Sequence, residues 1–248
     1  MIKSLFSEIG RYCLLMKKAF SLPDNRRMFL KQIPRELEKL GTNSIAIIII
    51  VSIFMGVIMT VQTVLNTENP MLPRYSTGLV LRDTFLLEFA SSIISLLLAG
   101  KVGSNIASEL GSMRVSEQID AMEVMGVNSA NYLILPKIIA LVFFMPIIVT
   151  LCVTFGLLGG AGVAFFSDLI TMNDFVYGIQ YAFIPYYFYY SMIKSLFFGF
   201  LIASVSSFYG YYAFGGALAV GRASTNAVVN SIILILLSNI VLTNLMLN

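Results

Sequence analysis

The sequence of 248 residues contains no histidine and only two cysteines. Zinc proteases of the HExxH type, Ser-His-Asp hydrolases and haem sites with a histidine ligand all need an imidazole, so these classes are excluded. Cys13 and Cys152 cannot form a thiolate metal cage, and the apolar run around Cys152 is typical of a structural thiol. Neither a metal site nor a disulfide scaffold is therefore expected.

Charge is also scarce. Charged residues make up 12% of the chain and hydrophobic residues 58%, whereas a soluble domain carries about 25% charged residues. A helix needs roughly 20 apolar residues to cross a bilayer core of about 30 Å. The predicted fold is an all-α membrane protein with five transmembrane spans, at about 44–65, 79–102, 132–166, 187–208 and 225–247.

Two of these spans have unusual features. The third stretch is uncharged from Ile138 to Ser167, which is too short for two spans with a turn, so one long tilted helix is predicted. The fourth contains Lys194 and opens with the aromatic run 186–190. Because tyrosine prefers the membrane interface, this run is interpreted as an anchoring belt rather than as a ligand contact.

Residues 1–43 are predicted to form a separate amphipathic region on the cytoplasmic membrane surface, and residues 44–248 the transmembrane domain. Apolar residues recur at helical spacing among basic ones, and Pro23 and Pro34 are expected to divide the region into pieces. A basic anchor on anionic lipid is preferred to a partner-binding role. Nine of the 16 Lys and Arg lie here: Lys3, Arg11, Lys17, Lys18, Arg26, Arg27, Lys31, Arg35 and Lys39.

This asymmetry of basic residues predicts the orientation, because Lys and Arg in short flanking segments stay in the cytoplasm. The N-terminus and the segment 101–137 are expected in the cytoplasm, and the loop with Asp168 and Asp174 outside. An odd number of spans then sends the C-terminus outside. No cleavable signal peptide is expected, because the early apolar stretch is short and lacks a small-residue cleavage site.

The segment 101–132 is the one sizeable polar part of the hydrophobic region. Ser116 is a plausible N-cap and Gly126 a C-terminal stop, which predicts a short helix at about 117–125. Ile119, Met122 and Met125 fall on one face of it. Since acidic residues disfavour anionic lipid headgroups, docking into a partner's groove is favoured over resting on the membrane.

The residues from Ala99 to Val127 resemble the signature of MlaE-type (YrbE-type) permeases, the membrane subunits of ABC transporters that work with MCE proteins on lipids. Within this stretch stand Ala99-Gly100-Lys101-Val102-Gly103-Ser104 and the run from Ala107-Ser108-Glu109-Leu110-Gly111 onward. Pro136-Lys137 before the third span and Gly221-Arg222-Ala223-Ser224-Thr225 before the last match as well. The order and spacing agree over roughly residues 44–248.

The resemblance implies a homodimer in the bacterial inner membrane, with a cytoplasmic coupling helix between the second and third spans seated in a groove of a separate ATPase subunit. The chain itself is then a non-catalytic transporter subunit without a cofactor. Gly216 and Gly221 have the spacing of the glycines in a P-loop, but the Lys-Ser/Thr that should follow is absent. This agrees with ATP hydrolysis by a partner. Candidate docking residues are Glu109, Met113, Arg114, Glu117, Gln118, Ile119, Asp120, Met122, Glu123 and Met125.

Glu88 and Lys194 lie within predicted spans, where an unpaired charge costs about 3 kcal/mol or more. One interpretation is a salt bridge that only fixes helix packing. The other is a lipid cavity lined by both residues, in which Lys194 attracts a phosphate headgroup. The family has a glutamate and a lysine at the matching positions, although its usual Arg-Glu-Leu-Gly-Pro is replaced here by 87–91, LEFAS. Apolar cavity candidates are Val61, Leu65 and Leu97.

The function expected from the resemblance is movement of phospholipids between the inner membrane and a periplasmic MCE protein, which maintains outer-membrane lipid asymmetry. Two alternatives stay open. One is an ion-coupled secondary transporter that uses Glu88 and Lys194 as a titrating pair, although no inverted repeat is detectable. The other is a membrane anchor that assembles MCE proteins without transporting anything.

Overall fold

The computed structural model describes residues 2–21, 26–66, 73–167 and 169–247, and within these ranges the chain is helical with no strand. The N-terminal helix is α1 (Ile2–Ala19). Helix α2 (Arg26–Leu37) continues through a π-helical turn (Glu38–Thr42) into α3 (Asn43–Asn66). The next long element runs from α4 (Ser76–Thr84) through π-helical Phe85–Ile93, α5 (Ile94–Leu98) and π-helical Ala99–Gly103 into α6 (Ser104–Val115).

The remaining helices are α7 (Gln118–Val124), α8 (Ser129–Phe166), α9 (Met172–Gln180), α10 (Pro185–Tyr211) and α11 (Ala217–Leu247). Among the described residues, five helical stretches are long and apolar enough to cross a membrane: Phe29–Asn66, Ser76–Val115, Ser129–Phe166, Pro185–Tyr211 and Ala217–Leu247. The predicted fold with five spans is confirmed. The third span is the single long helix that its length predicted.

The first long helix differs from the prediction at its start. The predicted span begins at residue 44, but the helix extends back to Arg26 and passes through Pro34 without a break. The expectation that Pro34 divides the region is wrong, and the position of Pro23 lies outside the described residues. Packing explains the continuity, because α2 lies along α8. Gly41 has no Cβ to collide with the Phe144 ring, 2.7 Å away from where a Cβ would stand.

The core of the molecule lies around α8, which packs against α3 on one side and α10 on the other. Glycines bring α3 and α8 together: a Cβ on Gly56 would stand 1.9 Å from the Gly156 carbonyl oxygen. Such close approach of backbones is typical of membrane helices, whose association relies on van der Waals packing.

Helix α11 packs on α10 and α6 along one narrow face. The buried residues of this face recur every four positions: Ala223, Ala227, Ser231 and Ile235. Most of its other apolar side chains are exposed in the single chain.

Arg82 and Asp83, which made the second predicted span less apolar, lie in its first helical segment, α4. Arg82 is buried, pairs with Asp83 at 2.8 Å, and donates hydrogen bonds to the carbonyl oxygens of Ile179 and Tyr181 at 2.8 Å each. The cation thereby joins α4 to the end of α9, a helix that the sequence pattern did not predict. Its charge is fully compensated within the chain.

Candidate functional site

Glu88 lies in the middle of the π-helical segment Phe85–Ile93. The wider turn is visible at its end, where the Ile94 N–H donates to the carbonyl oxygen of Phe89, five residues earlier. π-Helical turns are rare and frequently occur at functional sites. The segment carries Glu88 to the junction of the second span with α10 and α11.

Lys194 on α10 meets Glu88 at this junction. Its ammonium lies 3.1 Å from Glu88 Oε1 and donates to the Tyr190 hydroxyl at 2.9 Å and the Leu87 carbonyl oxygen at 3.2 Å. The Tyr190 ring lies 4.6 Å from the ammonium. The interpretation of the run 186–190 as an interfacial belt is therefore wrong for Tyr190, which is buried and bonded to the lysine.

The fifth span completes the site with two polar side chains. Asn239 Nδ2 donates to Glu88 Oε2 at 3.0 Å, and Thr243 Oγ1 donates to Glu88 Oε1 at 3.3 Å. Ser92 Oγ lies 2.9 Å from the same Oε2. The sequence analysis missed Asn239 and Thr243, although two polar residues four apart in an apolar helix share a face and indicate a polar contact.

The two predicted cavity charges differ in exposure. The Lys194 side chain is 0% exposed, whereas the Glu88 side chain is 43% exposed. In this arrangement the ammonium does not reach an open surface, and the carboxylate does. The salt bridge of the first interpretation is present, and only its acidic member faces outward.

The apolar cavity candidates lie apart from this pair. Leu65 is exposed and Val61 half-buried on α3, which packs on α8 and α4, whereas Glu88 and Lys194 lie among the second span, α10 and α11. Leu97 is half-buried on α5. A single chain therefore does not bring Val61 and Leu65 to the ion pair.

The predicted cytoplasmic helix is α7. The sequence predicted its C-terminal end correctly but not its N-terminal end. Gly126 ends it as predicted: with φ +77°, it lets its own N–H donate to the Glu123 carbonyl oxygen and the Val127 N–H to that of Met122. Ser116 is not the N-cap, because its hydroxyl donates to the Ser112 carbonyl oxygen at 2.8 Å. Glu117 takes the cap position with φ 59°.

The apolar residues of α7 do not form one open face. Ile119 is buried against the chain and Met122 is half-buried, whereas Met125 is 71% exposed. Val124, which the sequence analysis did not select, is 88% exposed. Ile119 therefore attaches the helix to the rest of the chain, and Val124 and Met125 at the C-terminal end of the helix remain exposed.

The other docking candidates divide similarly. Glu117 and Gln118 are exposed, Met113 is half-buried, and Arg114 forms an ion pair with Asp120. Glu123 accepts hydrogen bonds within the chain from Lys18 at 2.9 Å and Tyr211 at 2.9 Å. The Lys18 ammonium, together with the Tyr211 and Ser129 hydroxyls, holds the pKa of Glu123 below its usual value, against the opposing effect of burial.

Glu109 lies away from the exposed end of α7 in a chain of four alternating charges. Its Oε2 lies 2.9 Å from Lys137 Nζ and its Oε1 2.8 Å from Lys39 Nζ, and Glu36 Oε2 lies 2.7 Å from Lys137 Nζ. Lys137 is buried. The cluster joins α2, α6 and α8, and its role in packing was not visible in the Pro136-Lys137 motif.

Within the ranges that the structure describes, no group of three or more Cys, Asp and Glu side chains is placed to hold a metal ion. The candidate site thus consists of a membrane-embedded ion pair and a short helix with an exposed apolar end.

A family model described as Permease MlaE matches residues 33–245. A "Probable ABC transporter permease protein" of Rickettsia bellii (strain RML369-C) is 31% identical over 241 residues, covering 97% of this chain and 93% of that protein. One of Synechocystis sp. is 34% identical over 225 residues, covering 90% and 82%. The chloroplastic protein TRIGALACTOSYLDIACYLGLYCEROL 1 of Arabidopsis thaliana is 36% identical over 213 residues, covering 85% and 60%.

Proposed function

The chain belongs to the MlaE permease family and is a permease subunit of an ABC transporter, and we propose that its cargo is a phospholipid. The phospholipid passes between the inner membrane and a periplasmic MCE protein. This transport maintains the lipid asymmetry of the outer membrane. This proposal rests above all on one observation, the Glu88–Lys194 pair in the membrane-spanning region.

An ion pair at this depth suits an amphiphilic cargo. The Glu88 carboxylate is partly exposed, and the helices that carry it and its partner Asn239 also expose apolar side chains such as Ile93 and Ile240. A lipid phosphate is an anion that can replace Glu88 as the partner of Lys194 when the helices around the pair separate. The acyl chains then lie against the apolar faces, so the headgroup does not need to cross the bilayer core without a partner.

An ABC permease takes its energy from an ATPase partner, and α7 is the proposed contact. Val124 and Met125 at its C-terminal end are exposed apolar side chains on an otherwise acidic segment. A helix end of this kind fits a hydrophobic groove with a polar rim. Membership of the family argues against the ion-coupled secondary transporter, since the relatives are named ABC transporter permeases.

The proposed assembly contains a second copy of the chain. The outer face of α11 carries exposed polar residues, Thr225 and Asn226, in a helix long enough to span the membrane. Polar groups in membrane spans usually face a partner or a water-filled cavity rather than lipid. A homodimer in which these two faces meet gives the polar residues a protein partner and a water-filled cavity.

The proposed location is the bacterial inner membrane, with the N-terminus in the cytoplasm and the C-terminus in the periplasm. The basic residues before residue 44 support this orientation. A reporter fused to the C-terminus that is active only in the cytoplasm would contradict it.

The decisive experiment is reconstitution of the chain with its ATPase and MCE partners, followed by measurement of ATP-dependent transfer of labelled phospholipid. We expect Lys194→Met to abolish most transfer, because the phosphate loses its cation. Lys17→Met, which changes an exposed lysine of α1, is the control and should transfer normally. ATP hydrolysis without any transfer by the unmodified complex would instead favour the non-transporting anchor.

A further inference from the structure

Helix α1 is bonded to the transmembrane domain at its C-terminal end. Asn131 Nδ2 donates to the carbonyl oxygens of Ala19 at 2.7 Å and Ser21 at 2.6 Å, and Asn128 Nδ2 donates to that of Lys18 at 3.0 Å. Ala19 itself is fully buried. The last turn of α1 is therefore fixed to the start of α8. A helix that only anchors the chain on the membrane surface does not need these hydrogen bonds.

From this fixed position Lys18 reaches α7. Its ammonium lies 2.9 Å from Oε1 of Glu123, near the end of that helix. The same oxygen accepts from the hydroxyls of Tyr211 at 2.9 Å and Ser129 at 3.1 Å. Three donors from α1, α10 and the start of α8 thus converge on one carboxylate oxygen of α7.

The other contacts of α7 include the Arg114–Asp120 ion pair with α6. The helix has seven residues, of which Ile119 is the buried one, and a helix this short depends on tertiary contacts for its stability. A cavity of about 250 Å³ lies between α1 and α7, with Leu14, Lys18, Arg114 and Glu123 in its wall. Because apolar packing does not fill this space, the Lys18–Glu123 ion pair is the direct link across it.

We propose that Lys18 and Glu123 are positioning residues that fix the direction of α7 relative to the membrane helices. The proposal rests on the proposed role of α7 in ATPase docking. Val124 and Met125 bind the ATPase, and Glu123 transmits the resulting movement of α7 to α1 and, through the asparagine contacts, to α8. Without the pair, the ATPase still binds and hydrolyses ATP, but less of the movement reaches the membrane helices.

The test uses charge reversal. Lys18→Glu and Glu123→Lys are compared singly and together, and Lys17→Glu, an exposed neighbour with the same change of charge, is the control. The pair with exchanged charges retains its attraction, and the Tyr211 and Ser129 hydroxyls can accept from a lysine at position 123. Three quantities are measured: ATPase retained on the permease, ATP hydrolysed, and phospholipid transferred per ATP.

Each single variant should lower phospholipid transferred per ATP by about fivefold or more, the lower end of typical coupling between sites, while ATPase retention stays unchanged. The double variant should return to within about twofold of the original value, and Lys17→Glu should not change it. An unchanged ratio in both single variants would overturn the proposal. Loss of the ATPase from them would also overturn it, because the residues would then be docking contacts.

Two further outcomes have separate meanings. One tests whether Lys18 binds anionic lipid, and the other tests whether phospholipid is the cargo. An equal loss in Lys17→Glu, or no recovery in the double variant, would assign Lys18 to anionic lipid and overturn the positioning role. If the unmodified complex transfers no phospholipid, the proposed cargo is wrong, but the positioning role is still decided by a distance measurement within the permease.

That measurement places labels on the native exposed Cys13 and on Val124→Cys, in the permease without its ATPase. The single variants should show a broader distribution of label distances, because α7 loses its link to α1, and the double variant should recover the narrow one. An unchanged distribution in the single variants would overturn the positioning role.

Discussion

The ammonium of Lys194 is completely buried 3.1 Å from Oε1 of Glu88, whose side chain is 43% exposed. The cation is thus enclosed by the protein, and the acid that compensates it faces outward. A competing anion has to displace Glu88 before it reaches the lysine. The same contact therefore stabilises the helix junction and closes the proposed headgroup site.

Glu88→Gln should destabilise the protein, because it leaves the buried ammonium without its counter-charge. Removing one partner of a buried ion pair costs about 3–5 kcal/mol, and the partial exposure of Glu88 reduces this to about 1–3 kcal/mol. The double variant Glu88→Gln/Lys194→Met should be more stable than Glu88→Gln alone. Thermal unfolding in detergent measures both, and a lower Tm for the double variant would contradict the role of the uncompensated ammonium.

Lys137→Met should destabilise the chain more than Lys39→Met, although both lysines pair with Glu109. The Lys137 side chain is 2% exposed and that of Lys39 is 48% exposed. Loss of Lys137 removes the cation that pairs with both Glu36 and Glu109, although Glu109 keeps Lys39. It should cost about 3–5 kcal/mol, whereas loss of a solvent-exposed pair costs about 1 kcal/mol or less. Denaturant unfolding compares the two variants, and equal costs would argue against burial as the cause.

Gly56→Ala should weaken the packing of α3 on α8, because the new Cβ would stand 1.9 Å from the Gly156 carbonyl oxygen. The matched control is Gly162→Ala, since a Cβ there meets nothing within 4 Å. We expect a lower Tm for the first variant and an unchanged or slightly higher Tm for the second, because alanine favours helix by about 1 kcal/mol over glycine. Similar Tm values for both would show that α3 can move away at little cost.

Val124→Glu should release the ATPase, because it places a charge at the most exposed apolar position of α7. Truncation of a central interface residue costs about 2 kcal/mol or more, which is roughly a thirtyfold loss of affinity. Ile9→Glu, at an exposed apolar position of α1 away from the cavity wall, is the control and should retain the partner. Co-purification of ATPase and permease measures the effect, and full retention in Val124→Glu would exclude this end of α7 from the contact.

The contact between α1 and α7 should resist acidification. The Lys18 ammonium, with the Tyr211 and Ser129 hydroxyls, lowers the pKa of Glu123, and the Glu123 carboxylate raises the pKa of Lys18. A lowered acid pKa means that the contact is complete above the ordinary glutamate value of about 4.3 and weakens as the pH falls through the lower folded value. Because the pKa of Lys18 is raised, the contact between Lys18 and Glu123 persists until the pH exceeds about 10.4.

The Cys13–Val124→Cys label distance should therefore stay constant between about pH 5 and 9. It should increase only on stronger acidification. Arg114, which lines the same cavity, pairs with Asp120. An increase already between about pH 7 and 5 would show that Glu123 does not hold the lowered pKa.

Much of the architecture follows from local properties of the sequence. The apolar stretches define five membrane helices because each is long enough to cross a bilayer. A helix also satisfies its backbone hydrogen bonds internally, so each stretch can span without a partner strand. Gly126 ends α7 as expected, since a positive φ strains most other residues. By contrast, the predictions of an N-cap at Ser116 and of a break at Pro34 were wrong. Ser116 ends α6 and its hydroxyl donates back to Ser112, and α2, which contains Pro34, packs along α8.

The sequence by itself determined that Glu88 and Lys194 need a partner or a hydrated cavity, because an unpaired charge within a bilayer is costly. Only the tertiary structure decided which partners they have. Glu88 meets Lys194, 106 positions apart, together with Asn239 and Thr243, and Lys137 meets Glu36, 101 positions apart. Such pairings depend on how whole helices pack and on the π-helical turn that places Glu88, and neither is encoded in the spacing of residues along one helix.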